Sequence, residues 1–200
     1  MTATKILPER FTLLREINLQ KDTALLFKLN FWGLFSLPLI GYVFLRIGVA
    51  LHPKFYSPFE ILTPQVSIFV LILTLISGLL ITMLLHEFVH GVFFWIITRQ
   101  LPKFGFRGAY AFAAAPDWYI RRDSYLLIGA APLAILTTIG IFCIPIIPSP
   151  YLFAWLCCLL ANVSGGVGDV YILDYLIRES ATAMIQDRGD IISVYTEIAK

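Results

Sequence analysis

Two histidines and a glutamate stand together inside the apolar stretch "LLHEFVHGVFFWII", Leu84 to Ile97. Between Val66 and Ile97, Glu87 is the only acidic residue, and there is no lysine or arginine. An ionisable group at membrane depth is costly unless it has a partner, so it marks a functional position. His86-Glu87-Phe88-Val89-His90 has the spacing HExxH. On a helix, residues i and i+4 share a face about 5–6 Å apart. Two imidazoles so placed can reach one Zn²⁺ at about 2.0–2.1 Å. Glu87, three residues before His90, would sit beside the metal without ligating it. That is where a general base must stand to take a proton from a metal-activated water. The chemistry expected of this trio is zinc-dependent hydrolysis of a peptide bond, with Glu87 as the catalytic base.

The elements that must position these residues follow from composition. The chain has 200 residues, 58% hydrophobic and 14% charged, with a mean hydropathy of +0.81. Soluble domains run nearer 45–50% apolar and about 25% charged. The expectation is an all-α integral membrane protein with about four transmembrane helices, near 29–51, 66–97, 125–147 and 151–177, since roughly 20 apolar residues cross a bilayer core. They would form one peptidase-like domain, 29–178, between an N-terminal segment, 1–28, and a tail, 179–200. "PSP" at 148–150 reads as a tight turn between the last two helices. No cleavable signal peptide is expected, because charges are spread through 1–28 and leave no short apolar core there.

A catalytic zinc usually takes three protein ligands and keeps one position open. Depth selects the third. With Arg99 and Arg178 marking the ends of the second and fourth helices, His90 and Asp169 each lie nine residues in. At 1.5 Å per residue both sit roughly 13 Å below that surface. Asp174 points about 140° away around the helix and suits an ion pair with Arg178, four residues on. Asp169 is therefore the expected third ligand beside His86 and His90. The glycines of Ser164-Gly165-Gly166-Val167-Gly168 would let the fourth helix approach closely or unwind to aim it. Asn162 is expected near the site, positioning a substrate backbone or a water.

Lysines and arginines set the orientation. Residues 1–28 hold five and residues 98–124 hold five, whereas the 52–65 loop holds only Lys54. Both termini and the 98–124 loop are expected in the cytoplasm, with the protein a multi-pass component of the cell membrane. A net charge of +2 without a basic aromatic stripe argues against nucleic acid as a partner. The expected partners are the lipid bilayer and a membrane protein or peptide substrate. Cys143, Cys157 and Cys158 lie in apolar runs and read as core residues, and His52 reads as a loop residue without a role.

HExxH in a transmembrane helix, followed by an acid in a glycine-containing late helix, resembles the site-2 protease superfamily of intramembrane zinc metalloproteases. "AAPLA" at 130–134 is similar to the small-small-Pro-Leu stretch of those proteins. The four-helix layout and "GDVYILDYL" after the glycines look more like the putative membrane zincin peptidases. The resemblance spans about residues 66–178 and implies a zinc endopeptidase acting in or near a membrane segment. Around the third ligand the chain reads Val167-Gly168-Asp169-Val170, where the site-2 pattern has Leu-Asp-Gly.

Two segments carry open alternatives. "FGFRGAYAFAAAP", 104–116, alternates large and small residues about Gly108. It reads as a short β-hairpin whose edge could hold an extended substrate, or as an interfacial loop anchored by Trp118, Tyr119, Arg121 and Arg122. Residues 9–28 read as an amphipathic surface helix or a solvated lead-in. Two rival functions remain. One is a non-catalytic metal-binding membrane scaffold. The other, disfavoured by the small size and the lack of a repeated polar set, is a proton or metal transporter component.

Overall fold

The structure, a computed structural model, describes residues 2–18, 21–107 and 110–198. In chain order the elements are β1 (Ala3–Thr4), β2 (Phe11–Asn18), α1 (Thr23–Leu51), α2 (Pro58–Leu62), α3 (Ile68–Thr98), β3 (Lys103–Arg107), β4 (Tyr110–Ala114), β5 (Tyr119–Arg121), α4 (Arg122–Cys143), α5 (Leu152–Gly165), α6 (Val167–Ile177), β6 (Met184–Asp187) and β7 (Ile191–Glu197). Four helical stretches are long and apolar enough to cross a membrane: Thr23–Leu51, Ile68–Thr98, Arg122–Ile146 and Ser149–Ile177. Many of their large apolar side chains are exposed, among them Phe35, Phe69, Leu80 and Phe88. Such a surface suits lipid rather than water.

The chain is not all-α. Five short strands form an antiparallel sheet in the order β1-β5-β6-β7-β2. β2 runs along β7 from Phe11↔Glu197 to Asn18↔Ile191, with an irregularity between Leu13 and Arg15. Residues 11–18 are thus a strand, neither the surface helix nor the lead-in expected of them. β7, "IISVYTE", is rich in β-branched residues, which fit a pleated surface. Ile120, Ile185 and Val194, from three adjacent strands, are fully buried. The 98–124 segment does form a hairpin, β3 against β4, with Gly105 opposite Phe112. Gly108, its expected turn residue, lies outside the described residues.

The chain divides into two compact units. One is Met1–Asn30, Glu87–Pro132 and Gly168–Lys200; the other is Phe31–His86 and Leu133–Val167. The first unit contains both sheets. The second has its own apolar core of Phe44, Phe55, Ile61, Ile144, Leu152, Leu156 and Leu159.

Local chemistry sets the helix ends. Asp22 Oδ1 accepts from the Leu25 N–H at 2.8 Å and so caps α1. α3 closes with Arg99 in the left-handed conformation, φ 58°, its N–H donating to the Trp95 carbonyl at 2.8 Å. The fourth membrane stretch is interrupted: α5 ends at Gly165 and α6 begins at Val167. A Cβ on Gly166 would meet Leu133 Cδ2 at 2.6 Å and the Asn162 carbonyl oxygen at 3.2 Å, so a side chain there would push Leu133 aside; Gly165 and Gly168 face open space. Two 3₁₀ turns, Ile144–Ile146 and Ser149–Tyr151, make the bend at the "PSP" sequence.

Candidate metal centre

His86 and His90 sit one turn apart on α3, which is unbroken from Ile68 to Thr98. The helix alone therefore fixes their spacing. Asp169 occupies the first turn of α6, where the partial positive charge of a helix N-terminus favours a carboxylate. His90 Nε2 stands 3.5 Å from Asp169 Oδ1. Two donors each about 2.0–2.1 Å from one tetrahedral centre are about 3.3 Å apart, so this separation suits two ligands of a shared metal. One potential ligand atom from each of His86, His90 and Asp169 lies within 4.8 Å of the other two.

The other imidazole nitrogens are engaged. His90 Nδ1 is 3.0 Å from the Ile128 carbonyl oxygen. A carbonyl only accepts, so Nδ1 carries a proton, and Nε2 is the ring atom that faces Asp169. His86 Nδ1 is 2.9 Å from Asn162 Oδ1, which sets the same tautomer. Asn162 is buried, 3% exposed, and its Nδ2 donates to Thr137 Oγ1 at 3.1 Å. Metal-ligating histidines characteristically donate their second ring N–H to an oxygen acceptor in this way. Two imidazoles and one carboxylate are a donor set that could hold a metal ion, and three protein ligands of these types are what catalytic zinc sites use. The residues present fit the metal.

A family model described as putative zincin peptidase matches residues 79–184. The chain belongs to that family. The matched stretch runs from α3 through α6 and includes His86, Glu87, His90 and Asp169. Zinc is the metal that this family implies for the group of three ligands. No curated protein matches this zincin-family chain, and no solved structure does.

Other side chains have partners of their own. Gly91 follows His90 on α3, and a Cβ there would run into the Phe104 ring and meet Pro102 Cγ at 3.2 Å. The β3–β4 hairpin thus rests against α3 beside His90. Asp174 is exposed and held by Arg178 Nη2, at 2.7 Å to Oδ1 and 2.9 Å to Oδ2, as expected of a surface ion pair. His52 is not idle. It is buried, and its Nε2 donates to the Ile147 carbonyl at 2.9 Å while its Nδ1 accepts from the Lys54 N–H at 3.3 Å. It is a structural tie, and its place beside Pro53 gave no hint of burial.

Two features of the structure had no sequence signal. One is the Ile128 carbonyl, a backbone atom. The other is the buried pair in which the Tyr125 hydroxyl donates to Asp187 Oδ2 at 2.5 Å.

Proposed function

We propose that this chain is a membrane-embedded zinc metallopeptidase that hydrolyses a peptide bond in or near a membrane segment. The observation that carries this reading is the convergence of His86, His90 and Asp169, with each histidine's Nδ1 tied to an oxygen. Zinc, when bound, supplies a Lewis acid for the scissile carbonyl and acidifies a water. His86, His90 and Asp169 would hold it. Glu87 is the general base, taking a proton at its carboxylate and delivering it to the leaving amine.

A helical substrate has its carbonyls engaged and must be extended before attack. The β3–β4 hairpin, which pairs with no further strand among the described residues and lies against Gly91 beside His90, would offer backbone partners to such an extended segment. The orientation reading also gains support. Strands from 1–28, from 98–124 and from 179–200 hydrogen-bond into one sheet, which is what a shared side of the membrane would require. The excess of lysine and arginine in the first two makes that side cytoplasmic.

The deciding experiment is metal analysis and cleavage by full-length protein in detergent or nanodiscs. Wild type should carry about one zinc per chain and cleave a membrane-peptide library, losing activity to a chelator. Glu87→Gln should keep the zinc, lose cleavage and retain bound substrates for identification. Intact cleavage by Glu87→Gln, or wild type without zinc, would refute the reading.

A further inference from the structure

Pro132 lies inside α4, a position where proline costs helix stability because it has no N–H and its ring presses on the carbonyl four residues back. The carbonyl four residues back belongs to Ile128. That is the oxygen 3.0 Å from His90 Nδ1. In an unbroken helix it would accept from the N–H at position 132 and point along the helix axis. With proline there the intrahelical bond cannot form, and the ring tilts the carbonyl outward.

His90 is 8% exposed, and a buried imidazole N–H left without an acceptor is expensive. The Ile128 oxygen is the hydrogen-bond partner of its Nδ1, and Ile128 itself is almost fully buried. Taking the zinc reading above as given, we infer that Pro132 is a positioning residue for the metal. It leaves the Ile128 carbonyl available to hold His90 in the Nδ1–H tautomer, so that Nε2 faces the cation. The proline that looks like a defect in α4 supplies the outer partner of a ligand on α3. An alanine at 132 restores the N–H. The Ile128 oxygen is then drawn back into the α4 ladder, and the His90 ring loses its orientation and tautomer together.

The test compares wild type, Pro132→Ala and His90→Ala as full-length protein in detergent. Pro38→Ala, the same change within α1, controls for proline removal itself. Zinc affinity is read by competition with a chromophoric chelator. The tautomer is read in metal-free protein from ¹⁵N-histidine spectra, with the His90 signal assigned by its loss in His90→Ala. Pro132→Ala should bind zinc about tenfold more weakly, in the range usual for removing an outer partner. Its His90 signal should shift toward the Nε2–H form, and its metal-free melting temperature should hold or rise because the helix has regained a bond. Pro38→Ala should leave affinity and tautomer unchanged.

An affinity within twofold of wild type, with the Nδ1–H signal retained, overturns the inference and leaves the zinc reading intact. A weakening shared by Pro38→Ala, or accompanied by a lower melting temperature of the metal-free protein, also overturns it, because an ordinary packing role would do the same. Failure of the zinc reading itself looks different: wild type and His90→Ala would then both bind no zinc.

Discussion

Asn162 Oδ1 accepts from His86 Nδ1 at 2.9 Å, and the same amide gives its Nδ2 hydrogen to Thr137 Oγ1. With both amide ends committed, the side chain is fixed in a single orientation that serves the histidine. Asn162→Leu keeps the volume and removes the acceptor, so zinc affinity should fall about 10–100-fold. Asn162→Asp keeps an oxygen toward His86, and Thr137 can turn its hydroxyl to donate, so its affinity should stay near wild type. Chelator competition on the two variants decides this. Equal losses in both would mean that the position serves packing alone.

Asp169 and Asp174 lie on the same short helix but should separate cleanly in metal binding. Asp169 faces His90 Nε2, while both oxygens of Asp174 are taken by Arg178 at the surface. Asp169→Ala should weaken zinc retention as severely as His90→Ala, beyond the effect of losing an outer partner. Asp174→Ala should leave retention unchanged and barely alter stability, because solvent screens an exposed ion pair. Metal content after dialysis against a weak chelator measures both. The assignment of Asp169 fails if its variant keeps full metal.

The membrane helices and the trio on α3 could be read from the sequence because their signals are local. An apolar run reports its own length, and HExxH reports one helical face. Asp169 was reachable because helix rise converts residue counts into depth. The sheet was not legible. β6 has four residues, and Ala3 pairs with Ile120 as Phe11 pairs with Glu197; partners so distant in sequence leave no shared local pattern. Charged residues in 11–18 favoured a surface reading, whereas pairing with β7 uses the backbone and is indifferent to them. The bonds that orient the histidines were hidden for a related reason. One acceptor is a main-chain oxygen made available by what residue 132 lacks, and the other, on Asn162, shows its direction only once α5 is placed.

Gly91 gives the hairpin a testable part. The Phe104 ring occupies the space a side chain at 91 would need, and Gly91 is adjacent to His90 without supplying a ligand atom. Gly91→Leu should displace β3 from α3 while leaving the two histidines on their face. Cleavage of a membrane peptide should then drop at least about tenfold, through a raised KM, if the hairpin edge aligns substrate. Zinc affinity should stay within about twofold. Unchanged cleavage kinetics would remove the hairpin from the mechanism.

Asp187 makes stability depend on pH. Its carboxylate accepts from the Tyr125 hydroxyl at 2.5 Å and from the Gly189 N–H at 2.7 Å. Burial nevertheless pushes its pKa up from 3.8 to about 6, because these bonds recover only part of the lost hydration. Between those two values the folded chain holds a proton that the unfolded chain releases. Stability therefore falls as pH rises through this window, by on the order of 1–3 kcal/mol from this group. Asp187→Asn abolishes the titration. It also carries a constant cost, since an amide can offer an oxygen to only one of the two donors. Melting temperatures of metal-free wild type and variant, taken from pH 4 to pH 7 in one detergent, separate the two effects. The variant should be the less stable at pH 4 and should gain steadily on wild type up to about pH 6, with no further gain beyond. A difference that stays constant across the series would show that Asp187 does not titrate in this window.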